Sequence, residues 1–247
     1  ELAYLHSEKN GFIKNRGTGV ARWGDQRRDA YRAAVLWQPS DTLELRYTYD
    51  RSQIDDTPAF IAVAPFYPNT VDRPHAGSPA VKNLLANDVT SQGHNFTASW
   101  EVADNVTVKS LTGFRKLTNF TYQDYLTGAV GPFPLFLNGS NLSQKQFSEE
   151  LQVIGSAFDD QLDYVLGAYY FDEKGRMAGY TIPTGRARID RQATIHNRAY
   201  AAYGQLTFRP SAVEGLYVTG GLRWSRDERR ATLHETATPA GGGAPIL

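Results

Sequence analysis

Paired carboxylates are the first residues in this sequence that could do chemistry. Glu149 and Glu150 are adjacent, as are Asp55 and Asp56, and two carboxyl groups that share a site can act as general acid and base. However, Glu149 and Glu150 lie in a stretch where apolar and polar residues alternate. Such alternation indicates a strand, and adjacent strand residues point to opposite faces. The two glutamates therefore cannot share a site, and we predict no catalytic residue.

Metal ligands are the second kind of chemistry to consider. The sequence has no cysteine, and its histidines show no spacing that would bring two of them onto one metal ion. The aspartate pairs 55–56 and 159–160 fall in connections without further ligands nearby, so we expect them to be solvated. We predict neither a metal site nor a cofactor. The five histidines are His6, His75, His94, His196 and His234.

Aromatic and basic residues could instead bind a ligand. The long, proline-rich segment 52–89 carries aromatic side chains that could stack on a ligand, or could simply pack the loop on itself. Arg223, Arg226, Arg229 and Arg230 could hold an anion through guanidinium forks, although the neighbouring acidic residues 227–228 offset their charge. We predict no catalytic role for any of them. The candidate ligand-binding residues are Phe60, Phe66, Tyr67, His75, Arg46, Glu150 and Arg223.

These candidates must be positioned by stretches of about ten residues in which apolar and polar residues alternate. In 144–155 and 162–172, one parity is apolar and the other is more polar, which is typical of a strand with two different faces. About ten tilted residues of this kind can cross a bilayer, with the apolar face toward lipid and the other toward a polar interior. The residues expected to line that interior are Glu44, Arg46, Thr48, Glu150, Gln152, Thr219 and Arg223.

Composition supports this interpretation. Lys+Arg and Asp+Glu are 26 each, so the chain has no net charge, which disfavours a nucleic-acid partner. Aromatic residues make up 12% of the chain and there are 14 tyrosines, as expected for a barrel with aromatic rims. No apolar run reaches the 18 or so residues that a transmembrane helix needs.

The lengths of the connections predict which end of each strand faces the periplasm and which faces the outside of the cell. We predict about nine strands, and the segments that join them alternate between long and short. Outer-membrane barrels have short periplasmic turns and long extracellular loops, whereas a soluble sandwich has no reason to alternate in this way. The predicted short turns are 38–42, 103–105, 155–161 and 209–215. The predicted strands are 1–14, 28–37, 43–51, 90–102, 106–117 (with a bulge), 144–155, 162–172, 192–208 and 216–226.

Several phrases in this order resemble the barrel of TonB-dependent outer-membrane receptors. They are GFIKN, WQPSDTLELRYTYD, VTVKSLTGFRKL, FSEELQVIG and LDYVLGAYYFDEKG. The resemblance implies an antiparallel transmembrane β-barrel in the bacterial outer membrane, which in this family has 22 strands and an internal plug. It also implies a transporter rather than an enzyme. Its ligand would be scarce, such as a ferric siderophore, cobalamin or an oligosaccharide, and uptake would be energised by the TonB–ExbB–ExbD system through the plug.

The chain departs from that pattern at both ends. It shows no plug domain, no TonB box and no closing strand with a terminal aromatic residue, and ELAYLHSEK does not resemble a signal peptide. About nine strands is fewer than half of 22. We therefore expect residues 1–247 to be an internal fragment of such a barrel, with the plug domain and the C-terminal strands absent.

Two alternatives remain open on sequence alone. The chain could belong to another outer-membrane channel, such as a substrate-selective porin, which would explain the lack of a plug. It could also be a soluble all-β carbohydrate-binding protein, in which case its apolar faces should pack against a second sheet.

Overall fold

In the computed structural model, residues 1–61, 81, 83–125, 136–183 and 187–239 are described. Within these residues the fold is all-β, and no helix in them is long and apolar enough to cross a membrane. The strands are β1 (Leu2–Lys9), β2 (Ile13–Lys14), β3 (Arg22–Trp23), β4 (Gln26–Ser40), β5 (Leu43–Asp56), β6 (Asn87–Ala103), β7 (Val106–Asp124), β8 (Leu137–Ala157), β9 (Leu162–Ile182), β10 (Arg188–Phe208) and β11 (Val218–Thr238).

Nine of these strands form one antiparallel meander. Its order is β1-β4-β5-β6-β7-β8-β9-β10-β11, and β2 pairs only with β3. The prediction of about nine meandering antiparallel strands is confirmed. Among the described residues, β1 and β11 each pair on one side only, so the sheet is open there.

The sheet has an apolar and a polar face because side chains alternate along every strand and the register keeps like parities side by side. Leu166, for example, lies between Val153 of β8 and Gly204 of β10. Large apolar side chains on this face are left uncovered: Leu166 is 50% exposed and Leu222 is 87% exposed. We call the following set the apolar band: Val35, Trp37, Leu45, Tyr47, Phe96, Trp100, Val108, Phe114, Phe147, Leu151, Val153, Leu166, Tyr170, Tyr200, Leu206, Leu222 and Trp224.

The strands run well past this band, which corrects several predicted boundaries. We call the part of each strand that carries the band its lower half and the remainder its upper half. β8 begins at Leu137 rather than 144, β9 ends at Ile182 rather than 172, and β11 ends at Thr238 rather than 226. Of the segments 118–143 and 173–191, predicted as loops, residues 118–124, 137–143, 173–182 and 188–191 are strand. The backbone ladder continues where both faces turn polar, so hydrophobic alternation no longer marks it.

The predicted bulge in β7 is wrong. From Val106 to Asp124, β7 pairs with β8 without a register shift, and the irregularities lie instead beside the short turns, at Trp37/Ser40 and Glu101/Ala103. The sequence pattern looked irregular because Leu111 is an apolar residue on the polar face. Pro39 has no backbone N–H to donate to the β-ladder, and this accounts for the first irregularity.

A small hydrophobic core lies at the upper ends of the strands. The predicted first strand, 1–14, is divided: β1 ends at Lys9, and the segment after it folds as the β2–β3 hairpin. Trp23 of that hairpin is 1% exposed and packs with Leu84 and with Tyr122 of β7. Burial raises the pKa of Tyr122 to about 12, so its phenol stays neutral. Asn15 ties the same hairpin to the next connection, accepting from the Val81 amide at 2.9 Å and donating to the Val81 carbonyl at 3.0 Å.

Candidate ligand-binding face

The polar face carries the side chains that could meet a ligand. All seven residues predicted to line a polar interior lie on it, because each has the parity opposite to the apolar band. Neighbouring strands are about 4.8 Å apart, so side chains paired across the sheet lie within reach of one another. Three polar clusters form in this way.

Glu150 is the centre of the first cluster. Its Oε1 accepts from the Tyr203 hydroxyl at 2.5 Å and from Gln152 Nε2 at 2.9 Å. Gln152 Nε2 also lies 3.1 Å from the Tyr203 hydroxyl. The contact spans from β8 to β10, so Tyr203 has to reach across β9. This arrangement holds a part-buried carboxylate in place through two donors.

Gly167 of β9 makes that crossing possible. It pairs with Tyr203 on one side and Gln152 on the other, and a Cβ at this position would overlap the Tyr203 ring. A glycine inside a strand commonly marks such a close approach. Arg223 of β11 lies beyond Tyr203, with its guanidinium carbon 5.7 Å from the ring centroid, a cation–π distance. The structure thereby joins two predicted candidates, Glu150 and Arg223, through Tyr203.

Glu173 is the centre of the second cluster, in the upper half of the sheet. It accepts from Gln146 Nε2 at 2.8 Å and Asn197 Nδ2 at 2.6 Å, and it also accepts from Gln144. These amides hold the carboxylate in its charged form, and they lower the pKa of Glu173. The cluster presents amide groups and one fixed negative charge on the polar face.

The third cluster is an ion pair between Asp50 and Arg115. Arg115 Nη2 lies 3.2 Å from Asp50 Oδ1. The pair crosses β6 at Gly93, where a Cβ would come within 2.7 Å of Asp50 Oδ1. Small residues on the intervening strand thus allow a polar contact on this face twice, at Gly93 and at Gly167.

The remaining predicted ligand-binding residues are not brought together. Arg46 lies in the same row of paired residues as Glu150, but β6 and β7 separate them, which is about 14 Å at the usual strand spacing. Phe60 packs edge-on against Trp23 with ring centroids 5.4 Å apart, so it contributes to the loop core. The other three, Phe66, Tyr67 and His75, lie outside the described residues.

Strand parity divides the basic cluster of β11. Arg223 and Arg229 lie on the polar face, whereas Arg226 and Arg230 lie on the other face. Arg226 pairs with Glu228 at 2.7 Å. One anion cannot be held by all four guanidinium groups, because they occupy opposite sides of the sheet.

The two adjacent glutamates are separated as predicted. Glu149 lies on the face of the apolar band, level with Thr112 and Tyr170, while Glu150 lies on the polar face. The Glu149 carboxylate accepts from Ser110 Oγ at 2.7 Å and from Thr112 Oγ1 at 2.6 Å. Both of its oxygens therefore have a donor on an otherwise apolar surface. Within the described residues, no group of three or more possible metal ligands converges.

Sequence reasoning missed the residues that organise the first two clusters. Tyr203 and Asn197 have the polar-face parity of β10, and Gly167 interrupts a run of large residues in β9. The glycine was the available signal, since a strand glycine often marks a close contact. Which aromatic ring crosses it depends on the register of three strands.

Comparison with known proteins identifies the fold. No protein-family model and no curated protein matches the chain. Several solved structures do match. One is the ferric yersiniabactin uptake receptor FyuA from Yersinia pestis, with a TM-score of 0.66 and 13% sequence identity; the match covers 99% of this chain and 36% of that one. The copper transporter OprC also matches, with a TM-score of 0.55 and 15% identity over 96% of this chain and 36% of that one. The ferric citrate transporter FecA matches with a TM-score of 0.55 and 12% identity over 99% of this chain and 35% of that one.

These structures are TonB-dependent outer-membrane receptors. The chain spans little more than a third of their length, and the likeness extends over nearly all of its residues. The predicted resemblance is confirmed at the level of the fold: the sheet is that of a sector of the receptor barrel.

Proposed function

We propose that this chain forms a sector of the barrel wall of a TonB-dependent outer-membrane receptor, an active transporter and not an enzyme. The observation that supports this most directly is the contrast between the faces of one open sheet. An uncovered apolar band lies on one face, and hydrogen-bonded carboxylates and guanidinium groups lie on the other. In a bilayer the band contacts lipid and the polar face lines the lumen.

The apolar band disfavours the soluble alternative. Large apolar patches on a soluble monomer are normally covered or form an interface. Among the described residues, only the short β2–β3 hairpin lies outside the main sheet, and no second sheet covers the band. The fold of the matched receptors, rather than that of a sandwich, accounts for this arrangement.

The proposed ligand is a scarce polar compound such as a ferric siderophore, cobalamin or an oligosaccharide. The polar face offers carboxylates fixed by donors (Glu150 and Glu173) and cations that can bind an anionic or hydroxyl-rich surface (Arg46 and Arg223). The Phe60-containing connection would lie at the mouth. The plug and the remaining strands belong to the rest of the receptor, and TonB with ExbB and ExbD would supply energy through the plug.

Uptake by the full-length protein tests this proposal. We expect cells that carry the gene to accumulate one of a panel of labelled ferric siderophores, cobalamin or oligosaccharides, and to lose that accumulation when TonB is deleted or a protonophore is added. The Arg223→Gln variant should reduce uptake several-fold. Its matched control is Arg226→Gln, three residues along the same strand but on the lipid side.

Three outcomes would contradict the proposal in different ways. Uptake that persists without TonB would favour a substrate-selective porin. Recovery of the full-length protein in the soluble fraction would favour the soluble binding protein. Equal effects of the two arginine variants would remove Arg223 from the ligand path while leaving the transporter assignment intact.

A further inference from the structure

One row of paired residues on the face of the apolar band is basic across five adjacent strands. Lys116 of β7 pairs with Lys145 of β8, Lys145 with Lys174 of β9, Lys174 with His196 of β10, and His196 with Arg230 of β11. We call these five residues the basic row. In a chain with no net charge, this is a marked local excess of positive charge.

The basic row is costly to the sheet by itself. Like charges directly opposite each other on neighbouring strands destabilise the pairing. Of the row, Lys174 and His196 have a carboxylate partner, since both contact Asp172, at 3.6 Å and 2.8 Å. No ion pair within the described residues involves Lys116, Lys145 or Arg230. An anion bound from outside would offset this repulsion.

The surroundings add further cations and few anions. Arg176, two residues above Lys174 on the same face of β9, has no ion pair within the described part of the chain. It lines the same open groove as Lys145, Lys174, His196 and Arg230. Three carboxylates lie nearby: Asp172 and Glu228 are already paired, and Asp88 lines an adjoining groove that Arg176 also lines. Asp172 contacts Arg198 Nε at 3.1 Å in addition to the row, and Glu228 pairs with Arg226. No carboxylate lines the groove itself.

The position of the row decides what kind of anion it meets. Phe114 and Phe147, members of the apolar band, lie two residues below Lys116 and Lys145 on their strands. Tyr170 and Tyr200 lie one row of pairs lower, four residues below Lys174 and His196, with ring centroids 5.3 Å apart. Aromatic residues gather where a membrane meets water. Two strand residues span about 7 Å and four span about 13 Å, so the basic row lies at the depth of lipid headgroups on β7 and β8 and further outward on β9 and β10.

We propose that the basic row and Arg176 form a docking site for a phosphorylated lipid headgroup of the outer leaflet. The site lies on the outside of the barrel, on the opposite face from the candidate ligand residues Glu150 and Arg223. Lysine and arginine beside a membrane attract anionic headgroups, and the guanidinium group of Arg230 suits a phosphate. This inference rests on the membrane placement in the proposed function, but not on TonB-driven uptake.

Lipid binding by the full-length receptor tests the site. The receptor would first be located by density fractionation and purified from the outer membrane in dodecyl maltoside. Its affinity for lipid A, a diphosphorylated glucosamine lipid, is then measured by native mass spectrometry and microscale thermophoresis. We expect the K145Q/R176Q/R230Q variant to bind lipid A more than tenfold more weakly, since each cation near a lipid surface attracts the anionic headgroup.

A matched variant keeps the test specific. R22Q/R32Q/K109Q removes the same number of charges, from the loop hairpin and the polar face, and should bind lipid A like the unaltered receptor. Lipid A without its phosphates should bind the unaltered receptor as weakly as lipid A binds the groove variant. Heat-modifiable migration on gels reports whether each variant still forms a folded barrel.

The outcomes separate failure of the site from failure of the proposed function. Equal lipid A affinity of the groove variant and the unaltered receptor would overturn the site while the protein remains in the outer membrane. Displacement of lipid A by millimolar inorganic phosphate would overturn the lipid assignment in favour of a free-anion site. Absence of the protein from the outer-membrane fraction would overturn the membrane placement, and the lipid site with it.

Discussion

The lower and upper halves of the strands follow the same hydrogen-bond ladder but differ in what their side chains face. In the lower half of β9, Leu162, Tyr164, Leu166 and Ala168 lie on one face, and the other face is mixed, with Asp163, Val165, Gly167 and Tyr169. In the upper half, Lys174 and Arg176 replace the apolar residues on that same face. Pairing with β8 continues without a register shift through both halves.

This contrast distinguishes two properties of a strand that are often treated as equivalent: its backbone pairing and the hydrophobic alternation of its side chains. The backbone ladder makes the strand, and it needs only unbroken donors and acceptors. Hydrophobic alternation reports the surroundings of each face. The lower half is adapted to lipid on one face, whereas the upper half is largely polar on both faces apart from the core around Tyr122 and Leu137. Substitutions should therefore have different costs in the two halves.

A charge placed in each half should show the largest difference. We expect Leu166→Arg, in the apolar band, to reduce the free energy of unfolding by about 2–4 kcal/mol, because arginine is costly at the bilayer midplane. Ala178→Arg, on the same face and strand but in the upper half, should cost about 0–1 kcal/mol. The measurement is guanidinium unfolding of the full-length protein in phosphatidylcholine vesicles. Similar costs at both positions would contradict the division into halves.

A methyl group added at two glycines of β9 should show a smaller difference. Gly167→Ala in the lower half should cost about 1–3 kcal/mol, because the new Cβ overlaps the ring of Tyr203, which Glu150 holds in place. Gly175→Ala in the upper half meets the Ile195 side chain, 2.7 Å from Cγ1 and 3.0 Å from Cδ1, and this side chain can shift because no hydrogen bond fixes it. We expect less than about 1 kcal/mol there.

The glycine comparison has its own control. In a Gly167→Ala/Tyr203→Ser double variant the ring is absent, so the added methyl group should cost much less than it does beside Tyr203. The same vesicle unfolding assay measures this coupling. If the double variant lost the sum of the two single effects, the ring contact would not be the cause.

An exposed ion pair of the upper half should have the smallest effect. Arg191 Nε lies 2.6 Å from Glu235 Oε2, between β10 and β11. A double-mutant cycle with Arg191→Gln and Glu235→Gln should give a coupling of about 0.2–1 kcal/mol, typical of exposed pairs. Raising the salt concentration to about 1 M should reduce the coupling, because salt screens exposed charges. An unchanged coupling in high salt would show that the pair is shielded from water.

The sequence predicted the lower half well and the upper half poorly, for the reason given above. The alternation around Leu151 and Leu166 identified β8 and β9, and even the separation of Glu149 from Glu150 followed from parity. The segment 227–238 contains polar residues on both faces, so nothing in its hydrophobicity distinguishes an exposed strand from a loop. Its strand structure comes from pairing with a neighbour that is itself extended. Segment 118–124 does alternate, with Phe120 and Tyr122 on one face and polar residues on the other, so its strand structure could have been predicted.

The candidate site, too, could be predicted only in part from the sequence. That Glu150, Arg46 and Arg223 share the polar face could be predicted from parity alone. That Tyr203 joins Glu150 to Arg223, while Arg46 lies three strands away, could not be predicted, because it depends on register and on the single missing side chain at Gly167. Parity assigns a face, but the distance between two residues on that face requires the pairing of every strand between them.

The meander also has a consequence for how the chain folds. Every strand of the large sheet pairs with its neighbours in sequence, allowing for the small β2–β3 hairpin. Residues 41–42, 104–105 and 158–161 join their strands directly, whereas residues 57–86 separate β5 from β6. Residues 183–187 also join β9 to β10 by a short connection. Because closing a short loop loses less entropy than closing a long one, the hairpins β4–β5 and β6–β7 and the three strands β8–β9–β10 should form separately before they associate. The sheet would then grow by addition of these whole units, and the slow steps would be the joining of the units across the long connections.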